Sequence, residues 1–439
     1  MSLYPYAAGP LIETPQSYAY TPFEGAAFLA AWRDARRAVT GTDPLPLAWP
    51  DPPPLPERGG RIDTARLLAA LSGAEGAPAR EWHDWLIRRF ELSKRLHRSY
   101  RDEGRRAIGD GHVTDLPLYL GLADLLARRA GDGHLPSLNA LLKCLDTLCS
   151  QADRLDPTET GRLAALIGAE AAAVARIARD RPKTPYTDPV SDPVPRIGPL
   201  EGVCLLFADT LRSRAYAQGL LAAGASLPHA LVIETPEGAS RSGQAPAPAA
   251  SPVPPGLFAP DLSRPLSATL PQLAHRVETL ATGTVNAPEV AARLTATGAG
   301  LAVYSGFGGE LVGDGLLSAG PPLLHMHAGW LPDYRGSTTL YYSWLEEGAC
   351  GVSAILLEPG IDEGAVVARR RYPPPPPGCD ADHLYDGAIR ADLLVRVMAE
   401  LSRTGALPAA TPQASSEGET WYIVHPVLKH LAQLGPQDV

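Results

Sequence analysis

The feature that most constrains the fold is a change of sequence pattern near residue 200. From there to residue 372, short apolar runs with strand character alternate with helical segments; the runs are GVCLLFAD, HALVIE, LAVYSG, PPLLHMH and GVSAILLE. Strands that alternate with helices are typical of a parallel sheet whose strands are joined by crossover helices. We therefore predict an α/β domain with a mostly parallel, twisted sheet over residues 200–402.

The residues before this domain follow a helical pattern instead. Apolar residues recur at helical spacing in REWHDWLIRRFELSKRLHRSY, LPLYLGLADLLARRA and PSLNALLKCLDTLCSQADRL. A further helix is predicted after Asp156, an acidic N-cap that is followed by Pro157 and by Glu159 in the first turn. We predict an all-α domain over 62–180, a proline-rich arm with one short helix over 1–61, a linker over 181–199 and a C-terminal extension over 403–439.

Composition narrows the class of protein. The chain has 439 residues, of which 45% are apolar and 20% charged, as expected for a globular protein of two or three domains. Its formal charge of -9 argues against a nucleic-acid partner that is held by phosphate contacts. A signal peptide and a membrane-spanning apolar run are not expected, so the predicted location is the cytoplasm. The five cysteines lack metal-binding or redox spacing and are predicted to be reduced and structural.

Candidate catalytic residues occur where the apolar runs end. Ligands of parallel α/β sheets bind at the carboxyl ends of strands, and the run PPLLHMH ends in His325 and His327, which share one face of an extended strand. Asp362 lies in the later turn PGIDEG, from which its carboxylate can orient an imidazole and favour its charged form. A histidine–aspartate pair is more often structural than catalytic, so residue type alone leaves both interpretations open.

Other motifs restrict the chemistry further. The two histidines could form part of a metal site, but no third ligand has a suitable spacing, and no metal is predicted. The stretch YSGFGGEL lacks the spacing of dinucleotide and P-loop motifs, and nucleophilic-serine motifs do not occur. Arg335 could equally bind a substrate or form a surface ion pair, and either Ser337 or Thr338 is expected to cap the helix that follows.

The stretch HMHAGWLPDYRGSTTLYYSWLEEGACGVSAILLEPGIDEGAVV resembles the folate-dependent formyltransferase family, which includes glycinamide ribonucleotide, methionyl-tRNA and sugar-amine formyltransferases. Members carry an Asn-x-His strand end, a Leu-Leu-Pro-x-Tyr-Arg/Lys-Gly loop, a Gly-Val/Cys-Ser/Thr strand and a Gly-Val/Ile-Asp-x-Gly turn. The corresponding segments here are HMH at 325–327, LPDYRG at 331–336, GVS at 351–353 and GIDEG at 360–364. The resemblance covers residues 200–402 and implies a Rossmann-like formyltransferase fold there.

The resemblance also implies roles for individual residues. His327 and Asp362 match the catalytic histidine of the family and the aspartate that holds it charged and relays protons. His325 stands where the family has asparagine, which helps to stabilise the oxyanion; an imidazole N–H can still donate a hydrogen bond there, although an imidazole is bulkier and can titrate. The donor would be bound by the backbone of Gly306, Phe307, Gly308, Gly309, Leu311 and Val312, and the substrate by Arg335, Gly336, Ser337 and Thr338.

The predicted function is N-formyl transfer from 10-formyltetrahydrofolate, without a metal, to an amine of a small molecule such as an amino sugar, an amino acid or a natural-product intermediate. A tRNA acceptor is not expected, because the chain beyond residue 403 is too short for the extra β-barrel of tRNA-formylating members and the charge is negative. Two alternatives remain open. His325 could mark a formyl hydrolase or a member that uses another one-carbon or acyl donor. The chain could also be a non-catalytic binding module.

No membrane partner is expected. The predicted helical domain could recruit a carrier protein or mediate self-association.

Overall fold

The computed structural model describes residues 26–40, 116–149, 151–188, 190, 195–235, 252–414 and 418–434. The chain divides into two compact units, one formed by Met1–Arg181 and Tyr422–Val439 and the other by Pro182–Trp421. The helix predicted over REWHDWLIRRFELSKRLHRSY lies outside the described residues. The predicted C-terminal extension over 403–439 is divided between the two units, because its last helix packs with the first unit.

The described residues of the first unit form helices. They are α1 (Ala26–Thr40), α2 (Leu116–Gly131), α3 (Leu135–Cys149), α4 (Pro157–Asp180) and α11 (Pro426–Gln433), with a short 3-10 turn at Ala152–Arg154. Their apolar faces meet in a core that includes Leu29, Trp32, Leu126, Leu141, Leu145, Leu166, Val174 and Leu428. These helices therefore enclose a hydrophobic core of their own, as an amphipathic helix requires.

Helix α4 begins as its sequence predicts. The Glu159 backbone N–H donates to Asp156 Oδ1 at 2.8 Å, and the Asp156 backbone N–H donates to Glu159 Oε2 at 3.0 Å. Pro157 occupies the first helical position, where no backbone donor is needed. This reciprocal capping box confirms the prediction, and an N-cap of this kind contributes about 1 kcal/mol.

The second unit is built on a seven-stranded sheet in the order β3-β2-β1-β4-β5-β7-β8. Its strands are β1 (Val203–Ala208), β2 (Leu227–Ile233), β3 (Ala274–Leu280), β4 (Leu301–Ser305), β5 (Leu323–His327), β7 (Cys350–Leu356) and β8 (Val366–Tyr372). Neighbours among β1 to β5 pair in parallel, whereas β7 is antiparallel to both β5 and β8. The prediction of a mostly parallel sheet is therefore confirmed.

Helices cover both faces of this sheet. They are α5 (Leu211–Ala222), α6 (Leu266–Leu273), α7 (Pro288–Ala296), α8 (Asp314–Ala319), α9 (Thr339–Glu347) and α10 (Asp386–Thr404), which follows a short π-helical turn at Ala381–Tyr385. All six residues of β1 are buried, as expected for a strand that is covered on both faces. The strand order reverses beside β1, so the carboxyl ends of β1, β4 and β5 lie where ligands of such sheets bind.

Two parts of this unit differ from what the sequence suggests. Strand β3 was not predicted, because it is an edge strand whose residues are mostly exposed and therefore lack an apolar run. The predicted linker packs on the second unit in its described part: the Ile197 N–H donates to the Ala223 carbonyl at 2.9 Å, and Val190 and Ile197 are buried. The prolines of this segment prevent regular secondary structure, but the buried side chains of Val190 and Ile197 hold the segment in place.

The cysteine prediction is confirmed, since all five thiols are free and buried. Among the described helices, none is long and apolar enough to cross a membrane.

Candidate active site

Strand β5 carries both candidate histidines to its carboxyl end. In the sheet, His325 lies beside Tyr304 of β4, and His327 lies opposite Ser353 of β7. His327 is buried and His325 is partly buried. The two rings share one strand face, as their spacing predicts.

His327 is held between two oxygen atoms. Its Nδ1 lies 3.3 Å from Asp362 Oδ2, and its Nε2 lies 2.6 Å from the Tyr334 carbonyl oxygen. Both contacts are hydrogen bonds when both ring nitrogens carry a hydrogen, which is the charged imidazolium. Burial by itself raises the pKa of Asp362, but the charge and hydrogen bond of His327 outweigh burial and hold that pKa well below its usual range. The arrangement therefore places an ionised carboxylate beside the His327 ring.

Asp362 is positioned by its backbone as well as by its side chain. Its φ of 56° lies in the left-handed region, which few residues other than glycine adopt. Its Oδ2 accepts a hydrogen bond from the Gly336 N–H at 2.9 Å, and its carbonyl oxygen accepts one from Gln413 Nε2 at 2.9 Å. Two separate segments thus hold Asp362. Gly336 bonds the carboxylate that faces His327, and Gln413 bonds the backbone carbonyl.

His325 has a different electrostatic environment. Burial, followed by the charge of Arg212, lowers the pKa of His325 to about 3, although Asp362 acts in the opposite direction. Its Nδ1 is buried without a hydrogen-bond partner in the described chain, and its ring lies 6.0 Å from that of Tyr304. His325 is therefore a neutral imidazole at neutral pH and offers one donor, whereas an asparagine amide offers two.

Two arginines support this strand edge and were missed by the sequence analysis. Arg212 donates from Nη2 to the Gly306 carbonyl at 2.7 Å and from Nε to Ser305 Oγ at 3.2 Å. Arg390 donates from Nη1 to the Met326 carbonyl at 2.8 Å and pairs with Asp386 at 3.0 Å. No local signal identifies them, because RSRAYAQ and AIRADLL resemble ordinary solvated helix segments.

The predicted donor loop, residues 306–312, follows β4 and is tied to the loop after β3. Asn286 Nδ2 donates to the Leu311 carbonyl at 2.9 Å, and Asn286 Oδ1 accepts from the Gly313 N–H at 2.6 Å. Within the loop, Phe307 is buried, Gly308 and Gly309 are exposed, and Leu311 is 59% exposed. The loop combines a fixed backbone with an outward apolar side chain; donor binding by these residues and by Val312 stays a prediction.

The predicted substrate residues follow β6 (Tyr334–Gly336), which pairs in parallel with β9 (Glu419–Trp421). Gly336 adopts φ 108°, and a side chain there would clash with the Trp421 carbonyl. The Ser337 N–H donates to that same carbonyl at 2.9 Å. Thr338 precedes α9 at the predicted cap position, but its side chain makes no capping bond.

Arg335 differs most from its predicted role. It is buried, and its guanidinium donates to Gln413 Oε1 at 3.2 and 3.3 Å and to the Ala414 carbonyl at 3.1 Å. These contacts commit the side chain to the protein itself. In the described chain, no group of three or more His, Cys, Asp and Glu residues is arranged to hold a metal ion.

Comparison with known proteins gives partial matches. No family model matches the chain. A methionyl-tRNA formyltransferase of Chloroflexus aurantiacus is 34% identical over 136 residues, which are 30% of this chain and 43% of that protein. The methionyl-tRNA formyltransferase of Clavibacter michiganensis is 36% identical over 134 residues, or 30% of this chain and 42% of that protein. The chain thus spans less than half the length of the curated relatives that it matches.

Solved structures give weaker similarities. A sugar N-formyltransferase from Shewanella is 14% identical with a TM-score of 0.34, covering 53% of this chain and 87% of that one. Glycinamide ribonucleotide transformylase 1 from Symbiobacterium toebii is 19% identical with a TM-score of 0.31, covering 47% and 86%. These TM-scores lie below 0.5, and no inference about this chain rests on them.

Proposed function

Because the chain carries a domain of the formyltransferase family, we propose that it is an N-formyltransferase that moves a formyl group from 10-formyltetrahydrofolate to the amine of a small molecule. The observation that carries this proposal is the His327–Asp362 pair at the carboxyl end of β5, where the two side chains lie 3.3 Å apart. The pair places an imidazole ring beside a carboxylate that stays ionised, an arrangement that suits the acid–base steps of transfer to an amine.

The loop at 306–312 supports the choice of donor. A flat heterocycle needs an apolar surface and backbone groups in fixed positions. Leu311 offers the first, and the loop backbone that Asn286 holds at Leu311 and Gly313 offers the second. The Tyr304 hydroxyl, which is buried without a hydrogen-bond partner in the described chain, lies beneath Gly306. When bound, the donor supplies an activated formyl group.

Each side chain of the site has its own proposed role in the transfer. The amine forms a new C–N bond to the formyl carbon while the C–N bond of the donor breaks. His327, oriented by Asp362, gives a proton to the departing donor nitrogen and takes up the proton that the amine loses; general acid–base assistance of this kind contributes about 10²–10⁴-fold. His325, kept neutral by burial and by Arg212, offers one N–H to the oxygen on which negative charge develops. Arg212 and Arg390 hold the strand ends through the carbonyls of Gly306 and Met326.

The acceptor that we propose is an amino sugar, an amino acid or a natural-product intermediate. Although the relatives are named as acting on methionyl-tRNA, a formal charge of -9 does not favour binding to a polyanion. Recruitment of a carrier protein or self-association through the helical unit stays a prediction.

His325 favours a second candidate function, in which the site hydrolyses a formyl group or uses another one-carbon or acyl donor. A neutral imidazole replaces the family asparagine, so one hydrogen-bond donor is lost and the space for the formyl group shrinks. The variant His325→Asn separates the two functions. Formyl transfer by the native chain supports the first, whereas transfer that arises only in His325→Asn supports the second.

The main proposal is tested by measuring the conversion of the formyl donor. The full chain is incubated with 10-formyltetrahydrofolate and hydroxylamine, amino sugars or amino acids, and both tetrahydrofolate and formylated product are measured. We expect His327→Ala to lose about 10²–10⁴-fold in turnover, while the exposed His275→Ala does not change it. Full turnover in folded His327→Ala would contradict the proposal.

A further inference from the structure

After α10, the chain returns to the elements that carry the candidate active site. Thr411 and Val366 of β8 exchange two backbone hydrogen bonds at 2.8 Å, and Gln413 follows two residues later. Strand β9 then pairs with β6. The segment therefore crosses first the hairpin that carries Asp362 and then the strand that carries Arg335 and Gly336.

Gln413 bonds to both of these elements through one amide group. Its Nε2 donates to the carbonyl oxygens of Asp362 at 2.9 Å and Gly364 at 2.6 Å. Its Oε1 accepts from Arg335 Nε and Nη2 at 3.3 and 3.2 Å. Carbonyls require donors and a guanidinium requires an acceptor, so these partners fix the orientation of the amide.

The consequence concerns the backbone of Asp362. Its left-handed φ of 56° is unfavourable for an aspartate and persists only where neighbouring groups impose it. Gln413 holds the carbonyl of this residue, and the Gly336 N–H holds its carboxylate. Since Arg335 and Gly336 are consecutive on β6, that strand supports both ends of Asp362.

We propose that Gln413, with Arg335 behind it, is a positioning residue that holds Asp362 in reach of His327. This inference rests on the proposed function for its effect on turnover, but its geometric content does not. It gives Arg335 the task of orienting the Gln413 amide in place of binding substrate. Neither residue touches the reacting atoms.

Substitutions distinguish the contribution of the Gln413 amide nitrogen from that of its oxygen. Gln413→Met keeps the length of the side chain but loses both the donors and the acceptor. Gln413→Glu keeps an oxygen for Arg335 and turns another oxygen toward two carbonyls, which repel it. Arg335→Lys retains a donor for Oε1, whereas Arg335→Met does not. Gln218→Met is the matched control, because the Gln218 amide also bonds distant backbone through both its nitrogen and its oxygen, at 2.7 and 2.8 Å from the Asp261 backbone.

The experiment measures formyl transfer and the titration of Asp362 in the full chain. We expect Gln413→Met and Gln413→Glu to lose about 10²-fold in kcat, the effect of a displacement of about 1 Å, with the KM for 10-formyltetrahydrofolate unchanged. Arg335→Met should lose less, Arg335→Lys should recover most of that loss, and Gln218→Met should keep the native kcat.

The second readout does not depend on turnover. Carbon-13 NMR of the side-chain carboxyl should show the pKa of Asp362 rising toward its usual value of about 4 in Gln413→Met, because the carboxylate loses its contacts with His327 and Gly336. It should be native in Gln218→Met. A native kcat together with a native Asp362 titration in folded Gln413→Met overturns the proposal.

If the native chain shows no formyl transfer, the NMR titration alone decides. If Gln413→Met does not fold, the same titration in Arg335→Met against Arg335→Lys decides: a shift in the first that is absent from the second supports the positioning role, and equal titrations overturn it.

Discussion

A histidine–aspartate pair at a strand end of the second unit and one between helices of the first unit have similar lengths, but they differ in what surrounds them. In the second unit, His327 Nδ1 lies 3.3 Å from Asp362 at a strand end. In the first, His425 Nε2 lies 2.9 Å from Asp146 between helices α11 and α3. The distance between the side chains therefore does not distinguish them.

In the helical unit, neighbouring protein groups bond to both members of the histidine–aspartate pair. His425 is fully buried and caps α11, since its Nδ1 accepts from the Val427 N–H at 3.2 Å. That bond leaves Nε2 to donate to Asp146, so the ring is neutral, and burial lowers its pKa. Asp146 also accepts from Arg36 at 2.8 Å, and Arg36 bonds both oxygens of the buried Glu170 at 2.9 and 3.0 Å.

The pair at the strand end has a different setting. Its aspartate is held in a left-handed backbone conformation, and the neighbouring His325 is neutral. The comparison teaches that the place of the pair in the fold decides its role. The pair between helices holds the start of α11. The pair at the carboxyl end of a parallel strand lies where ligands of such sheets bind.

The same substitution in each pair gives the largest expected contrast. Asp362→Asn should reduce formyl transfer by about 10²–10⁴-fold, because the His327 ring loses the ionised carboxylate that orients it, while the melting temperature changes little. Asp146→Asn should reduce stability and leave turnover per folded molecule unchanged. Turnover and thermal unfolding of both variants check this, and a similar loss of turnover in the two would remove the distinction.

Arg36→Met tests the structural role of the helical pair. It removes the guanidinium that bonds both carboxylate oxygens of the buried Glu170, so we expect the free energy of unfolding to fall by about 3–5 kcal/mol, measured with urea at pH 7. Burial already raises the pKa of Glu170 from 4.5 to about 7. A folded pKa above the unfolded one makes stability rise as the pH falls from 7 toward 4.5.

The variant should therefore regain part of its loss at pH 5, because protonated Glu170 no longer needs a cation. A deficit that is equal at both pH values would contradict this reading of the network.

A smaller effect concerns the pH dependence that His325 contributes. Its pKa of about 3 in the folded chain lies below the unfolded value of 6.5. The unfolded chain then binds more protons between these values, so this contribution is present above pH 6.5 and is lost as the pH falls toward 3. In urea titrations at pH 7.5 and 5, His325→Gln should lose less stability on acidification than the native chain. An equal loss would show that His325 is not held neutral.

Local signals in the sequence were sufficient for part of the fold. Buried strands such as β1 and β4 appear as apolar runs, and the cap at Asp156 depends only on residues within one helical turn. Strand β3 escaped prediction because an exposed edge strand needs no apolar run. The resemblance at HMH and GIDEG predicted that His327 and Asp362 act together, and the structure places their side chains 3.3 Å apart.

Contacts between distant residues explain what the sequence could not show. Gln413 lies 51 residues from Asp362, and His425 lies 279 residues from Asp146. Arg212 and Arg390 sit in helices whose sequences resemble solvated segments, and their role depends on the strand ends that the sheet brings beside them. Such partners are set by the tertiary fold, so no short motif records them.

Calorimetric titration of the full chain with 5-formyltetrahydrofolate, a stable analogue of the proposed donor, tests the central claim most directly. The account predicts a Kd of about 1 μM or tighter, equivalent to about -8 kcal/mol. Binding should be lost in Leu311→Asp and kept in Val277→Asp, which places the same charge on another large apolar residue that is exposed, 37% exposed on β3. Failure of the folded native chain to bind the analogue, or equal binding by both variants, would contradict it.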